Sequence, residues 1–353
     1  MESKKETAGF LDLMFQPGFC VKENIVQQAN AAALGLSIAP GCDIRPLLYT
    51  GAEEYAAFSG GCLYLKLSVA EVTFGASVVR MNNEDVFLLD QDTGNPELQA
   101  LALAARELRE PLTGLMLSAN QLMSQLPGED AKEARQLAQL NRSLHQMLRI
   151  LGNMSDSGSD CAHPETRNLP MLFEEIFEKA HTLVSHTGVT LEYQGLDEYI
   201  PGLADQELLE RAILNILSNA VKFTPKGGSI QAKLAQSGSF LRLSIADSGS
   251  GIAGELRGSL FRRYLRQPGI EDGRCGLGLG MVMVRKAAAC HGGTVLVDQP
   301  ENGGTRVTMT IAIRQSSSTL LRSPVRRPDY AGERDHALLE LSDCLPLELY
   351  EKE

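Results

Sequence analysis

The spacing of hydrophobic residues between positions 95 and 155 predicts two long amphipathic helices. Apolar side chains alternate steps of three and four, which places them along one stripe of an α-helix. The stretch 127–130 (Pro-Gly-Glu-Asp) interrupts this pattern, and the same stepping then resumes. The two stripes consist of Leu98, Leu101, Ala105, Leu108, Leu112, Leu115, Ala119, Leu122 and Leu126, then Leu137, Leu140, Leu144, Met147, Leu151 and Met154.

Two heptad helices joined by a short turn form an antiparallel hairpin. One hairpin cannot bury both apolar stripes well, so we expect two copies of the chain to pair into a homodimer with a four-helix bundle. The alternative is an ordinary helical hairpin that packs against its own chain.

The segment before the hairpin, residues 1–94, has a different pattern. Strand-like runs at Cys62–Val69 and Val72–Met81 continue through Val86–Leu89, and Asn30 precedes a run of alanines. This arrangement is similar to a PAS sensor module. The alternative is a small α/β dimerisation or linker domain without a ligand. The cysteines and histidines of this segment do not have a spacing that demands haem or flavin.

The chain after the hairpin mixes helical and strand patterns. Residues 156–168 are polar and predict a linker, whereas residues 169–314 predict a mixed α/β domain. Residues 315–353 predict a second linker and a tail that regains apolar side chains from Asp335, and we expect that tail to dock on the rest of the chain. The predicted elements of the α/β domain are a helix at Leu169–Thr187, a helix through Leu208–Ala220, and strands at Val189–Tyr193, Ser229–Leu234, Phe240–Ala246 and Val307–Ile313.

Composition narrows the function classes. With 353 residues the chain has room for two or three domains, and its net charge of -11 argues against nonspecific binding to nucleic acid. No apolar run approaches the roughly 18 residues of a membrane-spanning helix. The seven cysteines are scattered and form no Cys-x-x-Cys pair, which is typical of a reduced, cytoplasmic protein without a zinc site.

The predicted helix through residue 220 carries the first candidate site. Asn215, Asn219 and Lys222 fall one turn apart on a face other than the apolar one, so their side chains can converge. An amide oxygen is a ligand suited to Mg²⁺, which takes its other oxygens from water and substrate phosphates. Lys222 would add a point charge for those phosphates.

The second candidate site follows the strand that ends at residue 246. Asp247 is followed by Gly249 and Gly251, which leave room for a flat ring against bare backbone. The Asp247 carboxylate could then accept a hydrogen bond from an exocyclic amine. A later loop containing Gly276, Gly278 and Gly280 supplies backbone N–H groups before a helix whose N-terminus favours anionic oxygens. Each feature alone also fits a simple turn or a solvated helix face.

In this order and at this spacing, the features resemble the ATP-binding domain of sensor histidine kinases. That superfamily also includes gyrase, mismatch-repair ATPases and the heat-shock ninety chaperones. The resemblance implies an α/β sandwich of the GHKL type that binds ATP and Mg²⁺. By the same resemblance, Asn219 holds Mg²⁺, Lys222 meets phosphate, Phe223 lies near the base, Asp247 binds the adenine amine, and residues 254–275 form a mobile lid.

The hairpin resembles the dimerisation and phosphoacceptor domain of the same kinases. The matching run is Arg106-Glu107-Leu108-Arg109-Glu110-Pro111-Leu112. The family has its phosphorylated histidine where this chain has Arg106, and a small polar residue where it has Glu110. Glu107 would be the base in that family. A guanidinium, always protonated, is a very poor nucleophile.

The substitutions raise the question of what replaces the acceptor. Arg106 and Glu110 lie one turn apart on the solvent side of the helix, so they can form an exposed ion pair that contributes only about 0.3–0.5 kcal/mol. His145 on the second helix and His163 in the linker are alternative acceptors. For His145 the spacing is compatible with a side chain that faces solvent.

The sequence thus predicts an α+β multidomain protein. Its predicted domains are a PAS-like module at 1–94, the hairpin at 95–155, a linker at 156–168, the ATP-binding domain at 169–314 and the tail at 315–353. The first functional hypothesis is a sensor histidine kinase that relays a phosphoryl group to the receiver domain of a response regulator. The second is a catalytically deficient scaffold that controls a partner by nucleotide-dependent dimer conformation. The third, a serine kinase of the anti-sigma type, is disfavoured by the hairpin.

Overall fold

A computed structural model gives the fold for most of the chain. Some of the predicted site residues lie outside the described residues: Gly276, Gly278, His163, and all of the predicted lid except Leu260. The structure describes residues 11, 14, 16–81, 83–90, 96–125, 131–157, 164–252, 260, 279–315 and 335–351.

The N-terminal segment forms a block of antiparallel strands in the order β2-β1-β5-β4-β3. Its core consists of alternating apolar residues of these strands, together with side chains from the connection between β2 and β3. The Asn30 side chain caps the first helix, accepting a hydrogen bond from Ala33 N at 2.9 Å. The elements are β1 (Gly18–Lys22), β2 (Ile25–Ala29), α1 (Ala31–Gly35), α2 (Ala52–Ala56), β3 (Cys62–Val69), β4 (Val72–Met81) and β5 (Glu84–Asp90).

The heptad pattern folds as two helices, α3 (Pro96–Gln125) and α4 (Ala131–Ser157). They pack on each other, so the prediction of a helical hairpin agrees with the structure within one chain. The hairpin shares one apolar cluster with a residue of the C-terminal tail, and the buried members are Ala105, Leu112, Met116, Ala119, Leu144, Leu148, Leu151 and Leu339.

The C-terminal domain packs helices against a mixed sheet. Its strands follow the order β11-β12-β10-β9-β7, in which β7 runs parallel to β9 and the other neighbours are antiparallel. One apolar cluster joins the sheet to helices α5, α6 and α7. The elements are α5 (Leu169–Val184), β7 (Thr190–Gln194), β8 (Pro201–Ala204), α6 (Gln206–Phe223), β9 (Ser229–Ser237), β10 (Phe240–Asp247), α7 (Gly280–Cys290), β11 (Val295–Asp298) and β12 (Arg306–Ala312).

One further strand lies where the sequence predicted linker. Strand β6 (Glu165–Asn168) pairs antiparallel with β8 in a small separate sheet. Its sequence, Glu-Thr-Arg-Asn, is polar and its residues are mostly exposed, so no apolar alternation marks it as a strand.

The N-terminal block and the C-terminal domain share one ten-stranded sheet. Strand β3 pairs antiparallel with β11, with Tyr64 opposite Val295. Beside this junction, the Arg285 guanidinium on α7 forms an ion pair with Asp90 at the end of β5 at 2.5 Å. Gly61 has a φ of +89° and passes so close to β11 that an ideal Cβ there would lie 2.3 Å from the Val297 carbonyl oxygen.

The C-terminal tail docks, as expected, and the structure shows where. It forms the short helix α8 (His336–Glu340) and a 3₁₀ turn at Leu347–Tyr350. The tail packs against α4, α5 and α6, and its apolar side chains Leu338, Leu341 and Leu345 join the core of the C-terminal domain. Among the helices that the structure describes, none has the length and hydropathy needed to cross a membrane.

Candidate functional site

Helix α6 carries the first group of candidate residues. Asp205 caps its start by accepting a hydrogen bond from Leu208 N at 3.1 Å, and the apolar face of the helix is buried in the domain core. This fixed orientation places Asn215, Asn219 and Lys222 on a common side. Asn215 is buried and Asn219 is half-buried.

The loop after β10 holds Asp247 in place. Its Oδ1 accepts hydrogen bonds from Gly249 N at 2.8 Å and from Thr305 N at 3.2 Å. Burial raises the pKa of Asp247 above its ordinary value, and the two backbone hydrogen bonds oppose that rise. Both of these hydrogen bonds, made within the described part of the chain, use Oδ1 as the acceptor. Oδ2 can therefore accept a hydrogen bond from a ligand.

Backbone and side chains of α6 and the Asp247 loop meet at a cavity of about 440 Å³. An ideal Cβ at Gly249 would lie 2.5 Å from the Phe223 carbonyl oxygen, so the approach of the two segments requires glycine. Phe223 ends the helix with 43% of its surface exposed. The cavity is lined by Lys222, Phe223, Thr224, Pro225, Ser248, Gly249 and Ser250.

The structure describes two of the other candidate glycines, Gly251 and Gly280, and both lie near this site. Gly251 has a φ of +74° and lies beside the Gln299 side chain, within 3.0 Å of an ideal Cβ. Gly280, at the start of α7, faces Asn215, whose Oδ1 would be 2.9 Å from an ideal Cβ. Helix α7 therefore begins against α6, on the side of the candidate residues.

The C-terminal tail packs against the side of α6 that carries Asn215 and Lys222. The Lys222 ammonium donates to Asp343 Oδ2 at 2.6 Å, and its side chain is only 5% exposed. Asn215 Nδ2 donates to Glu340 Oε2 at 3.2 Å and to the Arg211 carbonyl at 2.9 Å. Lys222, expected to contact phosphate, and Asn215, expected to contribute to the nucleotide site, thus meet carboxylates of the same chain.

Sequence reasoning missed these partners. Arg211, the largest fully buried side chain among the described residues, donates from Nε to Glu340 Oε1 at 3.1 Å. Arg149 on α4 reaches Asp343 Oδ2 at 2.8 Å. Two sequence features could have indicated these contacts: Arg211 stands in the apolar stripe of α6, and the acidic Glu340 and Asp343 stand within the apolar tail.

The hairpin candidates lie apart from this cluster. Arg106, Glu107 and Glu110 are exposed on α3. The expected ion pair between Arg106 and Glu110 is absent from the ion pairs of the described residues, so that expectation is wrong. Exposed side chains gain little from such a pair, which leaves both free to extend into water.

His145 is not at the surface, contrary to the expectation for an alternative acceptor. Only 2% of the residue is exposed, and its Nδ1 donates to the Asn141 carbonyl at 2.8 Å. The Tyr350 ring of the tail covers it edge-on, with 5.3 Å between ring centroids. The tail, whose docking position the sequence did not reveal, is therefore the reason for the burial.

Comparison with known proteins assigns the domain that contains the site. The family model for "Histidine kinase-, DNA gyrase B-, and HSP90-like ATPase" matches residues 204–315. Residues 204–315 are therefore similar to the ATPase domain that these proteins share. The match spans α6, Asp247 and the start of α7, so the sequence prediction of this ATPase domain is confirmed.

The similarity to whole kinases extends over a longer part of the chain than the family model does. The chain is 28% identical over 264 residues to the adaptive-response sensory kinase SasA of Crocosphaera subtropica, covering 69% of this chain and 68% of that protein. It is 30% identical over 233 residues to SasA of Synechococcus sp. strain CC9311, covering 64% and 58%. An uncharacterized sensor-like histidine kinase of Rhizobium meliloti is 26% identical over 273 residues, covering 72% and 52%.

A solved structure agrees in fold. Full-length ShkA in complex with AMPPNP matches with a TM-score of 0.50 and 23% identity over 63% of this chain and 47% of that one. Over the parts compared, the chain is similar in sequence to sensory and sensor-like histidine kinases. The predicted assignment to histidine kinase-type enzymes is confirmed at this level, whereas phosphoryl transfer by this chain stays a prediction.

Proposed function

We propose that the ATPase domain binds ATP with Mg²⁺ and that the chain acts as a sensor histidine kinase of two-component signalling. The observation that carries this proposal is the position of Asp247. Its carboxylate is held by two backbone N–H groups next to a cavity bordered by Phe223 and glycine backbone. A flat base fits against such bare backbone, and Asp247 Oδ2 would accept a hydrogen bond from the adenine amine.

The other site residues have roles that follow from their chemistry. Asn219, with Asn215 one turn before it, would supply amide oxygen to Mg²⁺, and Lys222 would contact phosphate. Backbone at Gly249, Gly251 and Gly280 would allow close approach of the nucleotide, and the same role is proposed for Gly276 and Gly278. Bound ATP supplies the phosphoryl group and Mg²⁺ neutralises its charge.

The residues around Asp247 fit the adenine end of a nucleotide as the structure stands. The phosphate end is different, because the side chains of Lys222 and Asn215 contact Asp343 and Glu340 of the tail. A nucleotide must therefore meet or displace two carboxylates at that end.

A second candidate function is a nucleotide-controlled scaffold that transfers no phosphoryl group. The specific observation in its favour is the pair of changes on the hairpin. Arg106, which the sequence resemblance puts at the acceptor position, is exposed, and His145 is only 2% exposed. Glu107, the proposed base, then has no acceptor beside it. In this case the partner would respond to contacts alone.

We propose that the hairpin pairs with a second copy of the chain. The stripe residues that are buried within the hairpin are Ala105, Leu112, Ala119, Leu144 and Leu151. Other stripe residues remain exposed, for example Leu108 at 54%, Leu115 at 63% and Met147 at 53%. Exposed apolar residues along two adjacent helices support an interface with the same stripe of another chain. A receiver domain of a response regulator is the proposed further partner.

The N-terminal block is proposed to be a PAS-like sensor module. Its antiparallel sheet, with short helices between β2 and β3, supports a compact module that receives a signal. Free thiols at the described cysteines, such as Cys20 and Cys62, support a cytoplasmic location.

Nucleotide binding is tested by calorimetry of the full chain with Mg·ADP. We expect binding that is lost or weakened more than about tenfold in Asp247→Asn, because the adenine amine loses a charged acceptor. Asp197, an exposed carboxylate elsewhere in the domain, provides the matched control Asp197→Asn, which should bind like the wild type. Equal binding by both variants would remove Asp247 from the site.

Transfer is tested separately with γ-labelled ATP and an Asn219→Ala control. Acid-labile label in the wild type supports the kinase, and its absence together with nucleotide binding supports the scaffold. Label that appears only in Arg106→His would show that the acceptor alone is missing.

A further inference from the structure

The C-terminal tail presents two carboxylates to the cationic and amide groups of α6. Asp343 Oδ2 forms ion pairs with Lys222 Nζ at 2.6 Å and with Arg149 Nη2 at 2.8 Å. Asp343 Oδ1 accepts a hydrogen bond from Gln146 Nε2 at 3.1 Å. Burial alone would raise the pKa of Asp343, but Arg149 and Lys222 outweigh burial and lower it. Asp343 is therefore an anion bound between the ATPase domain and the hairpin.

The second carboxylate lies deeper. Glu340 has no exposed side-chain surface and binds Arg211 Nε at 3.1 Å and Asn215 Nδ2 at 3.2 Å, with Arg149 Nε at 3.8 Å. Charges are buried in this way only when they are paired and hydrogen-bonded. The tail thus satisfies groups on the same side of α6 that carries the proposed metal and phosphate residues.

Apolar and polar contacts fix the tail against the hairpin. Asn141 Nδ2 donates to the Tyr350 carbonyl at 3.1 Å, and Arg142 Nε donates to the Ser342 carbonyl at 2.9 Å. The Tyr350 hydroxyl closes the tail on itself by donating to the Leu338 carbonyl at 3.0 Å. The segment 335–351 is therefore an ordered wedge between α4 and α6.

We propose that this wedge is a built-in competitor of the nucleotide: Asp343 occupies the place of a phosphate on Lys222, and ATP binds at full strength only after Asp343 withdraws. The inference rests on the proposed function of the site. A phosphate oxygen and the Asp343 carboxylate would need the same ammonium, and two anions at that position repel each other. Because Asp343 also binds Arg149, its withdrawal would loosen the contact between the ATPase domain and the hairpin.

Competition of this kind lowers the apparent affinity by the fraction of molecules whose site is free. Asp343→Asn keeps the size of the side chain and removes its charge. We expect Asp343→Asn to bind Mg·ADP about tenfold more tightly than the wild type, which corresponds to a site that is free of the tail about one tenth of the time. Glu348, exposed on the same tail, gives the control Glu348→Gln, which should stay within about twofold of the wild type.

The calorimetric comparison separates the two levels of the argument. If Asp343→Asn binds Mg·ADP as tightly as the wild type does, or more weakly, the proposed competition is wrong but the nucleotide site remains. No binding by either protein would overturn the site and the competition together. Tighter binding by Asp343→Asn alone supports both.

Hydrogen exchange on the unmodified chain provides a readout that depends on no variant. Saturating Mg·ADP should increase amide exchange in peptides from 335–351, because the tail loses its anchor on Lys222. Peptides from β9 and β10 serve as the internal control and should not exchange faster. Unchanged or slower exchange in the tail upon nucleotide binding would contradict the proposal.

Discussion

The buried pair of Arg211 and Glu340 allows a quantitative test of how the tail is held. Their side chains are 1% and 0% exposed, and 3.1 Å separates Arg211 Nε from Glu340 Oε1. With an effective dielectric constant of about 20, two unit charges at that distance attract each other by about 5 kcal/mol. Removing Glu340 leaves the Arg211 charge buried without its carboxylate, and removing Arg211 leaves Glu340 with only the more distant Arg149, at 3.8 Å. Removing one partner of a buried ion pair costs about 3–5 kcal/mol of stability.

The perturbation is a double-mutant cycle of Arg211→Met, Glu340→Leu and the double variant. We expect each single variant to lower the free energy of unfolding by about 3–5 kcal/mol. The double variant should be more stable than either single one, because it buries no unpaired charge. It still leaves Asn153 and Asn215 without the hydrogen bonds that they make to the pair, which costs about 1 kcal/mol each.

The assay is urea unfolding followed by circular dichroism and tyrosine fluorescence, since the chain contains no tryptophan. The cycle gives a coupling energy from the non-additivity of the changes. Single variants within about 0.5 kcal/mol of the wild type would refute the reasoning, because that size is typical of a surface position. Purely additive changes would show that the two charges do not depend on each other.

Three further outcomes are expected. Because the pKa of Asp247 is raised in the folded state, this group stabilises the fold at low pH, and that contribution is lost as the pH rises through the folded-state pKa. In Asp247→Asn the free energy of unfolding should therefore depend less on pH. Gly61→Val should cost at least about 1–2 kcal/mol and speed amide exchange in β11, because of its positive φ and the close β11 carbonyl, whereas Gly60→Ala, with open space around it, should not. Leu115→Glu should convert the proposed dimer to monomer in sedimentation velocity. Met171→Glu, at a similarly exposed position on the ATPase domain, should leave it a dimer.

Local patterns in the sequence predicted the elements well where periodicity is strong. The alternation in 62–81 predicted β3 and β4 with their observed bounds, and the apolar spacing around residue 213 predicted helix α6. Of the candidate residues, Lys222, Phe223 and Gly249 line one cavity, because the end of a helix and the end of a strand bring them together. Side-chain roles toward ATP and Mg²⁺ remain predictions.

Contacts between distant segments could not be predicted in the same way. Pairing of β3 with β11 uses backbone hydrogen bonds, which leave no mark on the side chains of either strand. Docking of the tail depends on single carboxylates, Glu340 and Asp343, whose partners come from helices far away along the chain. The burial of His145 follows from that docking and was therefore missed with it.

The central claim is that α6 and the loop at Asp247 form a site for an adenine nucleotide. The most direct measurement is displacement of a fluorescent ATP analogue from the full chain by Mg·ADP and by Mg·GDP. A carboxylate that accepts a hydrogen bond from the adenine amine meets a carbonyl oxygen in guanine, so ADP should compete at least about a hundredfold better than GDP. Equal displacement by the two nucleotides, or no binding of the analogue at all, would contradict the account.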